Sequence, residues 1–303
     1  MQIILKDTGT LLKQSFVKWW NKDPFRESAI IAYYAIFSIP GLLLLIISTT
    51  GYFFGKDVVN QNIIDQVAIT MGADTALQVK NMLINASQTK STTFGTIIGI
   101  VILLVGATGV FVELQKTLNN IWQVKVVSAS GLLPFLKARL FSFGLIFAIA
   151  FLLLISLVVS AALAAMSGWI KADTSEVGLI FLHILNFIFS LIVISTLFGL
   201  MFKILPDAEI KWKHVWLGSF FTGLLFTIGK TGLAYYFGKA EPTSIYGAAG
   251  SIVLILLWVS YSSMILFFGA EFTAAYAKMY SGKVPPSDIA VAVAPVDSYS
   301  TSN

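Results

Sequence analysis

Residues 244–276 read SIYGAAGSIVLILLWVSYSSMILFFGAEFTAAY, and this stretch decides the fold class. No side chain between Glu241 and Glu271 is charged, and a hydrocarbon core about 30 Å thick needs only about 20 helical residues to cross it. The stretch is therefore predicted to span a membrane. Trp258, Tyr261 and Glu271 add polar atoms that a simple membrane anchor does not need.

The composition extends this prediction to the whole chain. Of 303 residues, 57% are hydrophobic and 12% are charged, which leaves too few charges to cover a soluble core of this size. The mean hydropathy of +0.83 agrees, so we expect lipid to be the main solvent. The sequence has no Cys and only two His, which excludes disulfides and thiolate sites and limits metal chemistry. We predict no cofactor and no bound metal.

Uncharged windows in the sequence place six helices. A membrane segment must satisfy its backbone hydrogen bonds internally, and no stretch alternates like a barrel strand. The fold class is therefore predicted to be all-α, a polytopic integral membrane protein with six transmembrane helices. The transmembrane domain is predicted at residues 28–280, with spans at about 28–55, 91–112, 140–170, 177–202, 214–238 and 245–276.

Three further segments flank or connect these spans. Residues 1–27 place Leu and Trp near helical spacing among Lys, which predicts a cytoplasmic amphipathic helix in the headgroup region; a frayed basic leader is the alternative. Residues 56–90 repeat Val and Ile at helical spacing, which predicts a helical outside loop that is either a lid or a packed connector. Residues 281–303 are rich in Pro, Ser and Thr and are predicted to be a disordered, dispensable cytoplasmic tail.

The positions of the Lys and Arg side chains predict the orientation. Most of the 20 fall on the side of the predicted spans that holds both termini, and basic residues concentrate on the cytoplasmic side of membrane proteins. Both termini of this multi-pass protein are therefore predicted to be cytoplasmic. The net charge of +5 indicates topology, and we do not expect nucleic acid as a partner.

Four blocks of the sequence resemble those of one known family. They are SAIIAYYAIFSIPGLL at 28–43, FVELQKTLNNIW at 111–122, KILPD at 203–207 and SIYGAAGSIVLILLWVSYSSMILFFGAE at 244–271. In this order they are similar to the YihY/virulence factor BrkB family, over residues 19–279. The resemblance implies six helices in the bacterial inner (plasma) membrane. Members of this family were formerly labelled ribonuclease BN-like proteins. Asp207 departs from the family, which more often has Asn after the Leu-Pro pair.

The residues themselves do not favour the ribonuclease label. Metal-assisted hydrolysis needs clustered His and carboxylate ligands, and the sequence has no His-x-His pair. Its closest acidic pairs, Asp207 with Glu209 and Asp173 with Glu176, lie on predicted loops, where carboxylates are usually solvated. We find no phosphate-binding loop and no nucleophile elbow. We therefore predict that the protein is not an enzyme and has no catalytic residue.

Polar groups inside the predicted spans are the remaining candidates, because such groups are costly and usually face the bundle interior. The candidate transport-path residues are Tyr33, Tyr34, Ser38, Pro40, Glu113, His183, Asn186, Lys230 and Glu271. Pro40 is expected to kink the first span close to the two tyrosines and Ser38. Glycines in spans two and five, with Gly218 and Gly223 among them, are predicted to permit close helix packing.

Each of the other candidates has two interpretations. Glu113 and Glu271, at the predicted inner ends of spans two and six, form either a cation-linked gate or ordinary interfacial carboxylates. Lys230 either contacts an anionic group or extends outward to the interface. His183 and Asn186 share one face of span four, where they either line a path or hydrogen-bond to a neighbouring helix.

These features together predict a transporter or exporter of a solute or lipid that works by alternating access through a polar-lined cavity. A non-transporting membrane scaffold for envelope organisation is the alternative, and a membrane-bound ribonuclease is the third. The expected partners are membrane lipids and a small solute or lipid substrate of unknown identity. A homo-oligomer is left open.

Overall fold

The computed structural model describes residues 5–38, 93–127, 176–240, 250–282 and 284–293, together with helical positions between residues 60 and 84. The helices are α1 (Leu5–Trp20), α2 (residues 24–38), α3 (Thr93–Trp122), α4 (Glu176–Ile204), α5 (Trp212–Ala240) and α6 (Gly250–Ser281). Two short strands, β1 (Val124–Val126) and β2 (Ala290–Ala292), pair antiparallel, with Val124 opposite Ala292. The predominantly helical fold expected from the sequence is confirmed, and the small sheet is an addition to it.

The predicted spans can be compared with these helices in four places. The windows at 91–112, 177–202, 214–238 and 245–276 correspond to α3, α4, α5 and α6. Within the described residues, two stretches are long and apolar enough to cross a membrane, Ile184–Ile204 in α4 and Ile252–Tyr280 in α6. The first predicted span is described only as far as residue 38. Pro40 and the third span at 140–170 lie outside the described residues, so six spans stay a prediction.

The contacts within the chain divide it into two compact units. Unit 1 comprises Met1–Asn21, Gln115–Leu225 and Leu266–Asn303. Unit 2 comprises Lys22–Leu114 and Phe226–Ile265. Unit 1 therefore contains α1, α4 and both strands, unit 2 contains α2, and α3, α5 and α6 each contribute to both.

Helices α5 and α6 interlock in unit 1 through two reciprocal contacts. Thr273 of α6 lies against Gly218 of α5, and Thr222 of α5 lies against Gly269 of α6. A Cβ added at either glycine would overlap the hydroxyl of the facing threonine. Each threonine hydroxyl donates to a carbonyl of its own helix at 2.7 Å, Thr222 to Gly218 and Thr273 to Gly269, so the contact needs no polar partner across the interface.

A second reciprocal contact joins α5 to α4 in the same unit. A Cβ at Gly223 of α5 would lie 2.5 Å from the Oγ of Ser195, and one at Gly199 of α4 would lie 3.3 Å from the Oγ of Ser219. Small residues spaced four apart allow two helix backbones to approach closely, which is a common arrangement in membrane bundles. The packing role predicted for Gly218 and Gly223 is confirmed.

The segment after α6 corrects the prediction of a disordered tail. Helix α6 ends at Ser281, and Gly282 follows with a φ of 74°, a left-handed conformation that favours glycine. Residues 284–293 then run back along unit 1, where Glu209 donates its N–H to the Pro285 carbonyl at 2.9 Å and β2 pairs with β1. The predicted disorder is wrong for these residues because their backbone groups have regular partners. Residues 294–303 lie outside the described residues.

Candidate functional site

Glu271 is the most deeply buried of the predicted path residues whose side chains the structure describes. It is 2% exposed on α6, and its helical neighbours Phe267 and Ala270 are buried as well. Burial in apolar surroundings disfavours the ionised form of a carboxylate. A buried glutamate in an apolar helix is therefore uncommon, and Glu271 is the leading candidate among the predicted path residues.

The direction of the Glu271 side chain follows from helical geometry. Successive helical residues are about 100° apart, so Glu271 projects on the side of α6 opposite to Gly269 and Thr273. Those two residues face α5, as their contacts show. The carboxylate therefore lies on a buried side of α6 that is not the α5 interface.

Glu113 is a second buried carboxylate, on α3 in unit 2, and is 8% exposed. Its electrostatic neighbour in that unit is Arg26, whose Nη2 donates to Glu27 at 2.9 Å and whose Nη1 lies 3.8 Å from the Asp23 carboxylate. The hydrogen bond to Glu27, followed by the negative charges of Glu27, Asp23 and Glu113, raises the pKa of the Arg26 guanidinium above its usual range. Glu113 and Glu271 belong to different units, so their predicted pairing as a gate stays a prediction.

The predicted residues on α2 mainly pack against α3 in unit 2. The Tyr34 ring lies over Gly109, where a Cβ would overlap it, and Ser38 is close enough to Gly106 that a Cβ there would lie 3.2 Å from the serine Cβ. The Ser38 hydroxyl donates to the Ala35 carbonyl at 3.1 Å, within its own helix. Tyr33 is 59% exposed. The structure therefore brings Tyr34 and Ser38 together as packing residues, with Tyr33 on the surface.

The remaining predicted residues lie in different units or outside the described side chains. Asn186 is exposed on α4 in unit 1, and Lys230 is half-buried on α5 in unit 2. The backbone of His183 lies in α4, but its side chain and Pro40 lie outside what the structure describes. A shared role of Asn186 and Lys230 in contacting an anionic group stays a prediction.

Sequence reasoning missed a polar cluster around the Leu-Pro-Asp turn that follows α4. The Oδ2 of Asp207 accepts hydrogen bonds from Gln115 at 3.0 Å and from Asn119 at 2.7 Å, and the Asp207 N–H donates to the Oδ1 of Asn119 at 2.8 Å. Gln115 and Asn119 are one helical turn apart on α3, so both reach the same carboxylate. Hydrogen bonds to an ionised acceptor are stronger than neutral ones, and these join the end of α3 to the turn after α4.

The C-terminal segment completes this cluster. Ser287 of this segment donates its N–H to the Asp207 carbonyl at 3.0 Å. On the other side of the turn, Lys203 at the end of α4 donates its Nζ to the Ile210 carbonyl at 2.6 Å. Among the described residues, no group of three His, Asp or Glu side chains is close enough to hold a metal ion. With its carboxylate engaged by two amides, Asp207 acts as a positioning residue that fixes the turn. The single sequence carries no signal for these contacts, because Gln115 and Asn119 lie in one sequence block and Asp207 in another.

Comparison with known proteins identifies the family. A family model described as Virulence factor BrkB matches residues 15–289. The chain is similar to a UPF0761 membrane protein of Rhodospirillum centenum, with 26% identity over 286 residues, 92% of this chain and 60% of that one. A UPF0761 membrane protein of Tolumonas auensis is 28% identical over 84% of this chain and 81% of its own length. A UPF0761 membrane protein of Verminephrobacter eiseniae is also 28% identical, over 61% of this chain and 42% of its own length.

The chain therefore spans less than two thirds of two of these three relatives. No solved structure matches it. The relatives are named as membrane proteins, which agrees with the apolar spans of α4 and α6. The family match covers most of the sequence, and the chain belongs to the virulence factor BrkB family of membrane proteins.

Proposed function

We propose that this protein moves a solute or a lipid across the bacterial inner membrane, along a path lined by polar side chains of its helices. The observation that carries the proposal is the burial of Glu271 within Ile252–Tyr280, a stretch apolar enough to cross a membrane. Ionisable residues in such stretches almost always face the interior of the bundle or a water-filled cavity, and they commonly mark substrate or ion pathways.

A buried carboxylate suits such a path because it can exist in two charge states. When ionised, Glu271 attracts a cation or a cationic group, and when protonated it is neutral and its burial costs less. Alternation between the two states, linked to the side on which the path is open, would couple transport to a proton or another cation. Glu113, also buried in its own unit, is proposed to line the path as well.

A non-transporting scaffold is the second candidate, and the interlocked helices of unit 1 favour it. Gly218, Gly223 and Gly269 leave no room even for a Cβ, so α4, α5 and α6 are held in close and specific contact. Such packing suits a rigid platform as well as the fixed part of a transporter. No observation on the described residues favours the ribonuclease alternative.

Solvent access to the Glu271 position separates the two candidates. The chain has no Cys, so single cysteines can be introduced without background and labelled in sealed vesicles with a membrane-impermeant maleimide. We expect Glu271→Cys to react and Ala270→Cys, its completely buried neighbour, to remain unlabelled. Lys278→Cys, on the exposed last turn of α6, is the positive control.

The transport proposal predicts further that reaction at position 271 depends on the side of the vesicle and is reduced by a transported compound. Labelling at Lys278→Cys alone would mean that no aqueous path reaches Glu271, and the scaffold would then replace transport as the proposed function.

A further inference from the structure

One face of α1 is fixed against α6 in unit 1. Leu11 belongs to a buried cluster that includes Tyr276 of α6, and Ser15 is completely buried one turn later. A further turn along, Trp19 meets the ring of Phe268 edge-on, with 5.7 Å between the ring centroids. Because these contacts recur every four residues, they define the rotation of α1 about its own axis.

The other side of α1 carries large apolar side chains that remain exposed. Phe16, Val17 and Trp20 are 51%, 47% and 54% exposed, and the rings of Phe16 and Trp20 stack with their centroids 6.0 Å apart. Lys13 is exposed on the same side, one turn earlier. Aromatic rings combined with lysine stems are typical of helices that lie in the membrane interface.

The charged side chains between Asp7 and Asp23 are all lysines. Residues 8–22 contain Lys13, Lys18 and Lys22 and no acidic side chain. Three residues separate the end of α1 from α2, and the first predicted span begins within α2. A basic segment beside a membrane span attracts anionic headgroups, whereas most protein surfaces present both signs of charge.

We propose that the α1 surface formed by Lys13, Phe16, Val17 and Trp20 binds anionic phospholipid. The apolar side chains insert between headgroups, while Lys13 binds their phosphates. Because α1 is packed on α6, this contact would set the position of α6 relative to the lipid surface. The inference does not depend on transport.

The test uses the full-length chain reconstituted in vesicles of phosphatidylcholine and phosphatidylglycerol. A fluorophore on Phe16→Cys, or on Val17→Cys if that variant does not fold, reports quenching by phosphatidylglycerol or phosphatidylcholine that carries a nitroxide near the headgroup. Gln14→Cys, exposed on a different side of α1, is the matched control. We expect phosphatidylglycerol to quench more strongly at position 16 or 17, with little quenching at position 14.

Replacing Lys13 by Gln is expected to lower the apparent affinity for phosphatidylglycerol about fivefold, and increasing salt is expected to lower it progressively. Equal quenching by the two lipids would overturn the proposal, because headgroup charge would then be irrelevant. Absence of quenching at positions 16 and 17 by either lipid would also overturn it, because water or a protein partner would then cover this surface.

Discussion

Replacing Gly218 by Ala is expected to destabilise the protein, although alanine is the better helix former. The new Cβ would overlap the hydroxyl of Thr273 and lie 2.7 Å from its Cβ and 2.8 Å from its Cγ2. Thr273 is completely buried, and its hydroxyl is held by the Gly269 carbonyl, so it cannot turn aside without losing that bond. Overpacking of this kind costs about 1–3 kcal/mol, against a gain in helix propensity of about 1 kcal/mol. We expect a net loss of about 1 kcal/mol.

The assay is unfolding of the full chain by sodium dodecyl sulfate in mixed micelles, followed by intrinsic fluorescence. Gly232→Ala on the same helix is the matched control, because no described atom lies within 4 Å of a Cβ at that position. This control is expected to be neutral or to stabilise by up to about 1 kcal/mol.

A double variant tests whether the loss arises from the contact itself. Thr273→Ala removes the overlapping hydroxyl, so Gly218→Ala should cost about 1–2 kcal/mol less in that background than in the wild type. The interlocking of α5 and α6 would be refuted if Gly218→Ala were as harmless as Gly232→Ala, or if the two substitutions were simply additive.

Four further predictions can be measured by the same unfolding in sodium dodecyl sulfate. Asp207→Ala should lower stability by about 2 kcal/mol because the buried amide of Asn119 and the half-buried amide of Gln115 lose their acceptor, whereas Asp207→Asn, which keeps an acceptor, should cost about 1 kcal/mol or less. Gln123→Gly should raise stability by about 1 kcal/mol, since Gln123 has a φ of 56°; a loss would show that its side chain is needed. Ending the chain after Gly282 should cost about 3 kcal/mol or more by removing β2 and the contacts of residues 284–293, with a chain ending at Val293 as the control. Glu271→Gln, which keeps the size of the side chain and one of its oxygens, should leave stability within about 1 kcal/mol of the wild type; a larger loss would indicate a structural ion pair and count against the transport role.

The helices could be predicted because a single physical quantity, the length of an uncharged apolar window, dominates their formation in lipid. The windows at 177–202 and 214–238 lie within two residues of α4 (Glu176–Ile204) and α5 (Trp212–Ala240) at each end. Close packing at Gly218 and Gly223 could also be predicted, since few other roles suit a glycine inside a long apolar helix.

The Asp207 cluster and the ordered C-terminal segment could not be predicted in this way, because both depend on contacts distant in sequence. Asp207 is 92 residues from Gln115 and 88 from Asn119, and nothing in one sequence links them. The Pro and Ser content of residues 281–303 as a whole predicts disorder and hides the apolar run IAVAV at 289–293, whose order comes from pairing with β1, while residues 285–287 pair near Asp207. Composition describes a segment in isolation, whereas here the partner supplies the missing backbone hydrogen bonds.

One side of α6 packs closely against α5, and the opposite side carries Glu271, the residue on which the proposed function rests. Gly269 and Thr273 fix α6 against α5, and a change of size there has no space to be absorbed. Glu271 lies between them in sequence but on the opposite side of the helix, where its carboxylate is buried away from the α5 interface. If alternating access occurs, the interlocked parts of α5 and α6 should therefore move as one body, with the change of environment on the Glu271 side. Substitutions at Gly269 should then lower stability, whereas the reaction of Glu271→Cys with maleimide should change with the side on which the path is open, while α5 and α6 remain packed.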